Sequence, residues 1–435
     1  MTVSTYSQLA ELDKKHFLHP TSSIQQQQAD GPAVIMKKGS GIYLEDIEGK
    51  RYIEGMSSLW NVNVGYGRKE LAEVAKQQIE ELSFSSTFST YSHEPVIKLA
   101  AKIAEITPGD LNTVFFTSGG SESNDTAFKL VRYYWSLKGQ PEKKKIVSRK
   151  SAYHGVAMGA TSATGIPEFW KMASVSPDFL HVDPFSIDEL KALIEREGPE
   201  TIAAYIAEPV QGAGGINIPP ENYFKEVREI CDRYDILFIA DEVITGFGRT
   251  GKMFGIENWD VLPDIMTIAK GISSGYVQLG GVVISERIHQ DLVELSEGTL
   301  FHGFTYSGHP VACSVALKNI EIIENENLVE NSREMGEELL KAFKMLEEEF
   351  PQMGNSRALG LLGAIEFYKD RETGERFEEK KALKLVPTAL KNGLICRSVI
   401  YGDTDAVVLA PPLITTKEQI QEIIDILRQS IKEVL

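Results

Sequence analysis

Cysteine, long apolar runs and positive charge are all scarce in this sequence of 435 residues. Its 3 cysteines, Cys231, Cys313 and Cys396, lie far apart, which argues against a disulfide framework and against a zinc site. No apolar run approaches the roughly 18 residues of a membrane-spanning helix. The net charge of -17 comes without a basic stripe, which argues against nucleic-acid binding. The stretch MTVSTYSQLAELDKKHF has no apolar core typical of a signal peptide, so we expect a cytoplasmic protein with no metal site and no membrane partner.

The length and the order of apolar segments predict two domains of unequal size. Hydrophobic residues make up 42% and charged residues 25%, as in ordinary globular proteins. GIYLEDIEGKRYIEGM (41–56) alternates apolar and polar residues and predicts a β-hairpin. From about residue 70, short apolar runs alternate with helical segments, which indicates a mainly parallel sheet covered by helices. We therefore predict an α/β fold with a large domain at 66–324 and a smaller α+β domain built from 1–65 and 325–435.

The first chemical motif is FFTSGGSESNDTAFKLVRYYW, residues 115–135. Two glycines follow an apolar strand and precede an amphipathic helix, so backbone N–H groups are exposed where the helix dipole favours an anion. This arrangement is typical of a phosphate site, although the glycine spacing matches no nucleotide-binding motif. The alternative is an ordinary helix cap by Ser121 or Ser123.

The second motif is ILFIADEVITGFGRTG, residues 236–251. Asp241 ends a strand that should be buried on both faces, where a carboxylate is costly unless a cation lies beside it. The alternative for a single aspartate is a turn cap. Glu242 should point to the opposite face of the strand. The glycines and Arg249 fit a loop, and the pattern assigns no chemistry to that arginine.

The third motif is PDIMTIAKGISSGY, residues 263–276, in which Lys270 follows a buried strand. An isolated lysine at such a place is most often solvated, but all three motifs follow apolar strands and should lie on one edge of the sheet. A desolvated lysine can attack an aldehyde. A lysine, a buried carboxylate and a phosphate site together suit pyridoxal phosphate, which has an aldehyde, a pyridine nitrogen and a phosphate.

Six segments occur in the order seen in class III pyridoxal-phosphate-dependent aminotransferases, and the chain resembles that family over nearly its whole length. They are TSGGSESNDTA, YHG (153–155), AEPVQGAGG (207–215), ADEVITGFGRTG, AKGISSGY and HGFTYSGHP (302–310). The resemblance implies the large-plus-small architecture of fold type I. Within the class, the sequence is most similar to the ω-amino-acid or amine:pyruvate transaminases.

The resemblance implies roles for residues around the cofactor. Lys270 would bind pyridoxal phosphate covalently and carry the substrate proton, and Asp241 would keep the pyridine nitrogen protonated. Tyr153 and Val243 would pack on the two ring faces, although core packing remains an alternative for the tyrosine. The remaining expected contacts to the cofactor are the backbone amides of Gly120 and Ser121 at the phosphate, Glu208 behind the pocket, and Thr305 at the phosphate of a partner subunit.

The resemblance also implies a substrate pocket and an assembly. Trp60, Phe88 and Arg397 match substrate-binding positions, together with Tyr153, although the core is an alternative place for the two other aromatics. An amine donor and a keto-acid acceptor would react in turn by ping-pong chemistry. Because Thr305 would reach across to another subunit, we expect an obligate homodimer with shared sites, with a tetramer as the alternative.

Two positions depart from the pattern of the family. Gly119 stands where many members have a serine, so one hydroxyl is missing from the phosphate site. Ala213 stands where ornithine-type members have a glutamate that pairs with the active-site arginine. Without that gate Arg397 must move bodily between substrates, which disfavours ornithine, acetylornithine and 4-aminobutyrate as specialised donors.

Several other functions stay open at this point. Taurine:pyruvate transfer and 7,8-diaminopelargonate synthesis remain alternatives within the class. Decarboxylation, racemisation and an aminomutase shift use the same lysine elsewhere in the fold. A non-catalytic scaffold is opposed by the presence of both Lys270 and Asp241, and a nucleotide-binding protein is opposed by the glycine spacing.

Overall fold

The computed structural model describes residues 5–435, so the first four residues of the predicted 1–65 segment lie outside it. The strands are β1 (Met36–Ser40), β2 (Tyr43–Asp46), β3 (Arg51–Glu54), β4 (Leu111–Thr117), β5 (Lys145–Arg149), β6 (Phe179–Val182), β7 (Ile202–Ala207), β8 (Leu237–Asp241), β9 (Ile265–Ile268), β10 (Gly280–Ser285), β11 (Met353–Ala358), β12 (Gly363–Phe367), β13 (Leu394–Ile395), β14 (Arg397–Val399) and β15 (Ala406–Leu409).

Helices lie before, between and after these strands. They are α1 (Tyr6–His16), α2 (Ile24–Asp30), α3 (Lys69–Leu82), α4 (Glu94–Ile106), α5 (Gly120–Leu137), α6 (Met158–Ala163), α7 (Ile187–Glu197), α8 (Tyr223–Arg233), α9 (Glu286–Leu295), α10 (Pro310–Asn325), α11 (Leu328–Glu349), α12 (Lys381–Lys391) and α13 (Lys417–Val434). Short 3₁₀ turns include Phe88–Thr90 and Lys270–Ile272. The final helix starts after Thr416, which forms a reciprocal capping box with Gln419.

The large sheet has the strand order β4-β10-β9-β8-β7-β5-β6. Six of its strands run parallel, and β10 lies antiparallel between β4 and β9. The prediction of a mainly parallel α/β sheet is therefore confirmed. Since the carboxyl ends of parallel strands share one edge, the residues that follow β4, β5, β7, β8 and β9 all meet there.

Of the two small sheets, the one with the order β1-β2-β3-β13 joins the two ends of the chain. The predicted hairpin is present as β2 and β3, and its Ile53 pairs with Leu394 of β13 from the C-terminal part. The second small sheet has the order β11-β12-β15-β14. This pairing agrees with a smaller domain made from both ends, and the boundaries at 65/66 and 324/325 stay predictions.

The described part of the chain offers neither a membrane span nor a metal cluster. Within residues 5–435, every helix is too short or too polar to cross a bilayer. The same residues contain no group of three or more His, Cys, Asp and Glu side chains suited to a metal ion. The three cysteines are buried and unpaired.

Candidate active site

The lysine of the third motif emerges from the end of β9 in a strained turn. Lys270 has a left-handed φ of 48°, which a residue with a side chain seldom adopts. The side chain of Asn319 on α10 holds this turn, donating hydrogen bonds to the carbonyl oxygens of Gly271 (2.8 Å) and Ile272 (3.0 Å). Burial lowers the pKa of Lys270 to about 8, since the charged amine is disfavoured in the cavity. The lysine is therefore partly neutral near physiological pH.

Asp241 ends β8 and lies beside Lys270 in the same cavity. Its Oδ2 accepts hydrogen bonds from Asn124 Nδ2 (2.8 Å) and His154 Nδ1 (2.7 Å), and its Oδ1 accepts one from the Val243 amide (3.1 Å). Burial alone would raise the pKa of Asp241, but these donors outweigh it and hold the pKa below its usual range. The side chain is thus a fixed, buried carboxylate and not a turn cap exposed to solvent.

The first turn of α5 presents backbone amides to the cavity. Helix α5 begins at Gly120, and its N-cap residue Gly119 supplies no side-chain cap. The expected alternative of a serine cap is wrong: Ser121 Oγ accepts a hydrogen bond from Val156, and Ser123 Oγ donates one to the Gly119 carbonyl. Over the described residues, the amides of Gly120 and Ser121 donate to no protein acceptor, so they remain available to an anion.

Glu208, Tyr153 and Val243 complete the cavity of about 180 Å³ around Lys270. The two carboxylate oxygens of Glu208 accept hydrogen bonds from the amides of Tyr153 and Gly212, each at 3.0 Å. Burial raises the pKa of Glu208. Glu208 therefore fixes the backbone that presents the Tyr153 ring.

The Trp60 ring lies near both the lysine and an arginine from the C-terminal part. The Lys270 Nζ is 5.9 Å from the centre of the Trp60 ring, and the Arg397 Cζ is 4.8 Å from it. Among residues 5–435, the Arg397 guanidinium has neither a carboxylate partner nor a hydrogen-bond acceptor. An unpaired guanidinium beside the cavity suits a carboxylate ligand, because its planar donors bind carboxylates in bidentate fashion.

Four of the expected residues do not line this cavity: Trp60 and Arg397 lie beside it, and Phe88 and Thr305 lie on an exposed segment. Phe88 is 47% exposed and packs against Gly303, and Thr305 is exposed in the same loop. The two segments are joined by hydrogen bonds from Thr87 Oγ1 to the Ser307 carbonyl and from His93 Nε2 to the Gly308 carbonyl. Phe88 and Thr305 thus form one exposed unit that does not touch the Lys270 of its own chain.

Sequence reasoning missed three residues of the site. Asn124 and His154 contact Asp241 directly, and Asn319 holds the lysine turn. Asn124 and His154 lie within the quoted motifs. They could have been predicted, because the buried Asp241 carboxylate requires hydrogen-bond donors and these two polar residues lie in neighbouring motifs. Asn319 lies in the middle of a long helix and carried no such signal.

Comparison with known proteins decides the family. Residues 24–431 match the family described as Aminotransferase class-III. The chain belongs to this family. A putrescine–pyruvate aminotransferase of Pseudomonas aeruginosa is 41% identical over 97% of this chain and 95% of its own. The structure of a Virgibacillus transaminase is 58% identical with a TM-score of 0.97, covering 98% of both chains. An (S)-enantioselective ω-transaminase from Thermomicrobium roseum is 44% identical with a TM-score of 0.95, covering 99% of both.

Membership confirms the predicted fold type I, the aminotransferase class and the dependence on pyridoxal phosphate. The geometry of the cavity fits that cofactor. Two unpartnered amides at a helix N-terminus suit its phosphate, and the fixed Asp241 carboxylate suits a protonated ring nitrogen. A Cβ on Gly120 would come within 2.8 Å of the Val243 side chain, so only glycine lets both line the cavity.

Proposed function

We propose that this aminotransferase moves an amino group from an ω-amino acid or primary amine to pyruvate or a similar keto acid by ping-pong chemistry. The observation that carries the proposal is the unpaired Arg397 guanidinium, which shares the Trp60 ring with Lys270. It offers a carboxylate site next to the aromatic ring that the reacting amine also approaches. The putrescine–pyruvate relative supports pyruvate as acceptor and an amine without a carboxylate as donor.

We assign the cofactor contacts to residues of the Lys270 cavity. Gly120 and Ser121 would bind the phosphate, Asp241 the ring nitrogen, and Tyr153 and Val243 the two ring faces. Bound pyridoxal phosphate supplies an aldehyde that receives the amino group and a ring that withdraws electrons from the substrate carbon. Glu208 supports the pocket from behind through the Tyr153 amide.

Lys270 and Asp241 differ in how the cavity affects their charge: it favours the neutral amine of Lys270 and the ionised carboxylate of Asp241. The pKa of Lys270 is lowered to about 8 by burial, so its amine can both accept and return the proton of the substrate carbon near neutral pH. Asp241 stays ionised, because His154 and Asn124 stabilise the carboxylate. The ionised Asp241 in turn favours a protonated ring nitrogen.

Ala213 replaces the glutamate that pairs with the active-site arginine in ornithine-type members. This replacement favours amine donors that have no carboxylate. Ala213 is buried in the loop after β7, and nothing in the described chain neutralises Arg397. The arginine would bind the carboxylate of the keto acid and turn away from an uncharged amine donor. Trp60 would then cover the apolar part of that donor.

We further propose that the active enzyme is a cytoplasmic homodimer with shared sites. Thr305 and Phe88 lie on an exposed unit away from their own cavity, so they would serve the cavity of a partner subunit. Large apolar side chains are exposed around this unit, with Tyr306 60% and Tyr91 73% accessible. Sedimentation analysis of the wild type against Phe88→Glu tests the interface, and a monomeric wild type would refute it.

A donor panel with pyruvate as acceptor tests the function. Putrescine, benzylamine, taurine and 4-aminobutyrate are each incubated with the protein, and alanine formation is followed, with Lys270→Ala as the blank. We expect the highest rate with an amine that lacks a carboxylate. Activity with taurine alone, or no alanine from any donor, would contradict the proposed substrate class.

A further inference from the structure

Arg249 is a buried charge whose role the motif did not explain. Its side chain is fully buried, and burial lowers the pKa of the guanidinium to about 9. Within residues 5–435 it contacts no carboxylate, and its hydrogen bonds go to neutral acceptors. An unpaired buried charge is destabilising on its own. The acceptors it contacts therefore indicate what it holds in place.

On one side, Arg249 holds both ends of the segment that carries Trp60. Its Nη2 donates to Ser57 Oγ (3.0 Å) and to Asn63 Oδ1 (2.8 Å). Between those residues the backbone is strained, with left-handed φ angles at Ser57 (47°), Ser58 (60°) and Trp60 (58°). Such a backbone persists only where surrounding contacts hold it. Arg249 supplies a contact at each end.

On the other side, Arg249 holds the part of the chain that carries Arg397. Its Nη1 donates to the carbonyl oxygens of Leu361 (2.9 Å) and Pro411 (2.6 Å). Leu361 lies just before β12, and Pro411 lies just after β15, the strand that pairs with Arg397 through Val408. One guanidinium thus connects the Trp60 segment to the strands beside Arg397.

We propose that Arg249 is a positioning residue for the substrate: it holds the Trp60 ring against Arg397 and so sets the size of the amine that the pocket accepts. This inference rests on the proposed function, since it assigns the Trp60 side of the cavity to the amine donor. Arg249 itself does not line the cavity around Lys270. Its effect on the reaction passes through Trp60.

The test compares Arg249→Lys with the wild type. Lysine keeps the charge but lacks the planar fork that reaches four acceptors at once. We expect the variant to fold and to bind pyridoxal phosphate with an unchanged absorption spectrum. The ratio of half-reaction rates for benzylamine and propylamine should change roughly ten- to hundredfold, because a displacement of about 1 Å caused far from the chemistry can change a rate by about 10²-fold.

A double-mutant cycle separates positioning from general damage. In the Trp60→Ala background, Arg249→Lys should leave the benzylamine-to-propylamine ratio unchanged, because the ring through which it acts is gone. The matched control is Leu190→Ala, which opens a cavity on the buried face of α7, a helix that packs against α8 and β6 and not against the Trp60 segment or β12. It should lower the melting temperature without changing the ratio. An equal change of ratio in the Trp60→Ala background, or in the control, would overturn the proposal.

A second readout does not depend on turnover. The protein has 4 tryptophans, so subtracting the emission of Trp60→Phe isolates that of Trp60. We expect this difference spectrum to shift in Arg249→Lys, and an unchanged spectrum would refute the inference. If Arg249→Lys does not fold, Ser57→Ala removes one of its acceptors and should act in the same direction. A wild type inactive with both amines would contradict the proposed function, while the fluorescence result would still decide the role of Arg249.

Discussion

Replacing Arg397 by alanine gives the strongest test of the substrate assignment. The guanidinium lies 4.8 Å from the Trp60 ring centre and has no carboxylate partner in residues 5–435. Removing the guanidinium therefore leaves no buried carboxylate of the protein without a partner. The binding energy that is lost is that of the contact with the substrate carboxylate. A charge-assisted bidentate contact contributes about 1.5–3 kcal/mol, which corresponds to roughly a ten- to hundredfold loss in kcat/KM for pyruvate.

The two half-reactions can be measured separately by stopped-flow absorbance of the cofactor. Pyruvate is mixed with the aminated enzyme, and benzylamine with the pyridoxal form. We expect Arg397→Ala to impair the pyruvate half-reaction, mainly through KM, and to leave the benzylamine half-reaction within about threefold, since that donor has no carboxylate. The pyruvate half-reaction of Arg397→Lys should have a rate between those of the wild type and Arg397→Ala, because lysine keeps the charge but lacks the planar, bidentate donors of the guanidinium.

Arg376→Ala is the matched control, since its guanidinium already pairs with Glu366 in the same part of the chain. This variant should leave both half-reactions unchanged. If Arg397→Ala slowed both half-reactions equally, the arginine would act on the cofactor or the fold. If it slowed neither, Arg397 would not bind the substrate. Either result would refute the assignment of the acceptor carboxylate to this residue.

Three further outcomes follow from the cavity. Lys270→Ala should bind pyridoxal phosphate only non-covalently, as shown by its loss on dialysis, and should lose alanine formation by several orders of magnitude; wild-type rates would contradict the mechanism. Asp241→Asn should keep its melting temperature but lose about 10²-fold in kcat, because a neutral partner no longer favours a protonated ring nitrogen; an unchanged kcat would make the residue structural. Because burial lowers the pKa of Lys270 to about 8, its neutral, reactive fraction rises with pH and saturates above that value. Cofactor attachment to the apoprotein, followed by visible absorbance, should therefore level off above about pH 8, whereas a rise continuing to about pH 10 would indicate an unshifted lysine.

Much of the central sheet and of the cofactor side of the cavity could be predicted from the sequence. Strand-length apolar runs alternate with helices, and that pattern places β4, β8 and β9 in a parallel arrangement. Gly120, Asp241 and Lys270 each follow such a run, so their meeting at one edge required no knowledge of distant contacts. The hairpin and the last helix were likewise local, since turn residues and a capping box mark them.

Tertiary structure alone decided the contacts between distant parts of the chain. His154 and Asp241 are 87 positions apart, and their hydrogen bond depends on how the turn after β5 folds back over the sheet. Trp60 meets Arg397 because β3 pairs with β13 and the two chain ends close on each other. Phe88 and Thr305 lie on an exposed unit. The sequence pattern could not predict this exposure, because an apolar residue gives the same pattern in the core of its own chain and on a surface. Local pattern determines which residues form strands and helices, whereas these contacts depend on register and packing between segments far apart in the chain.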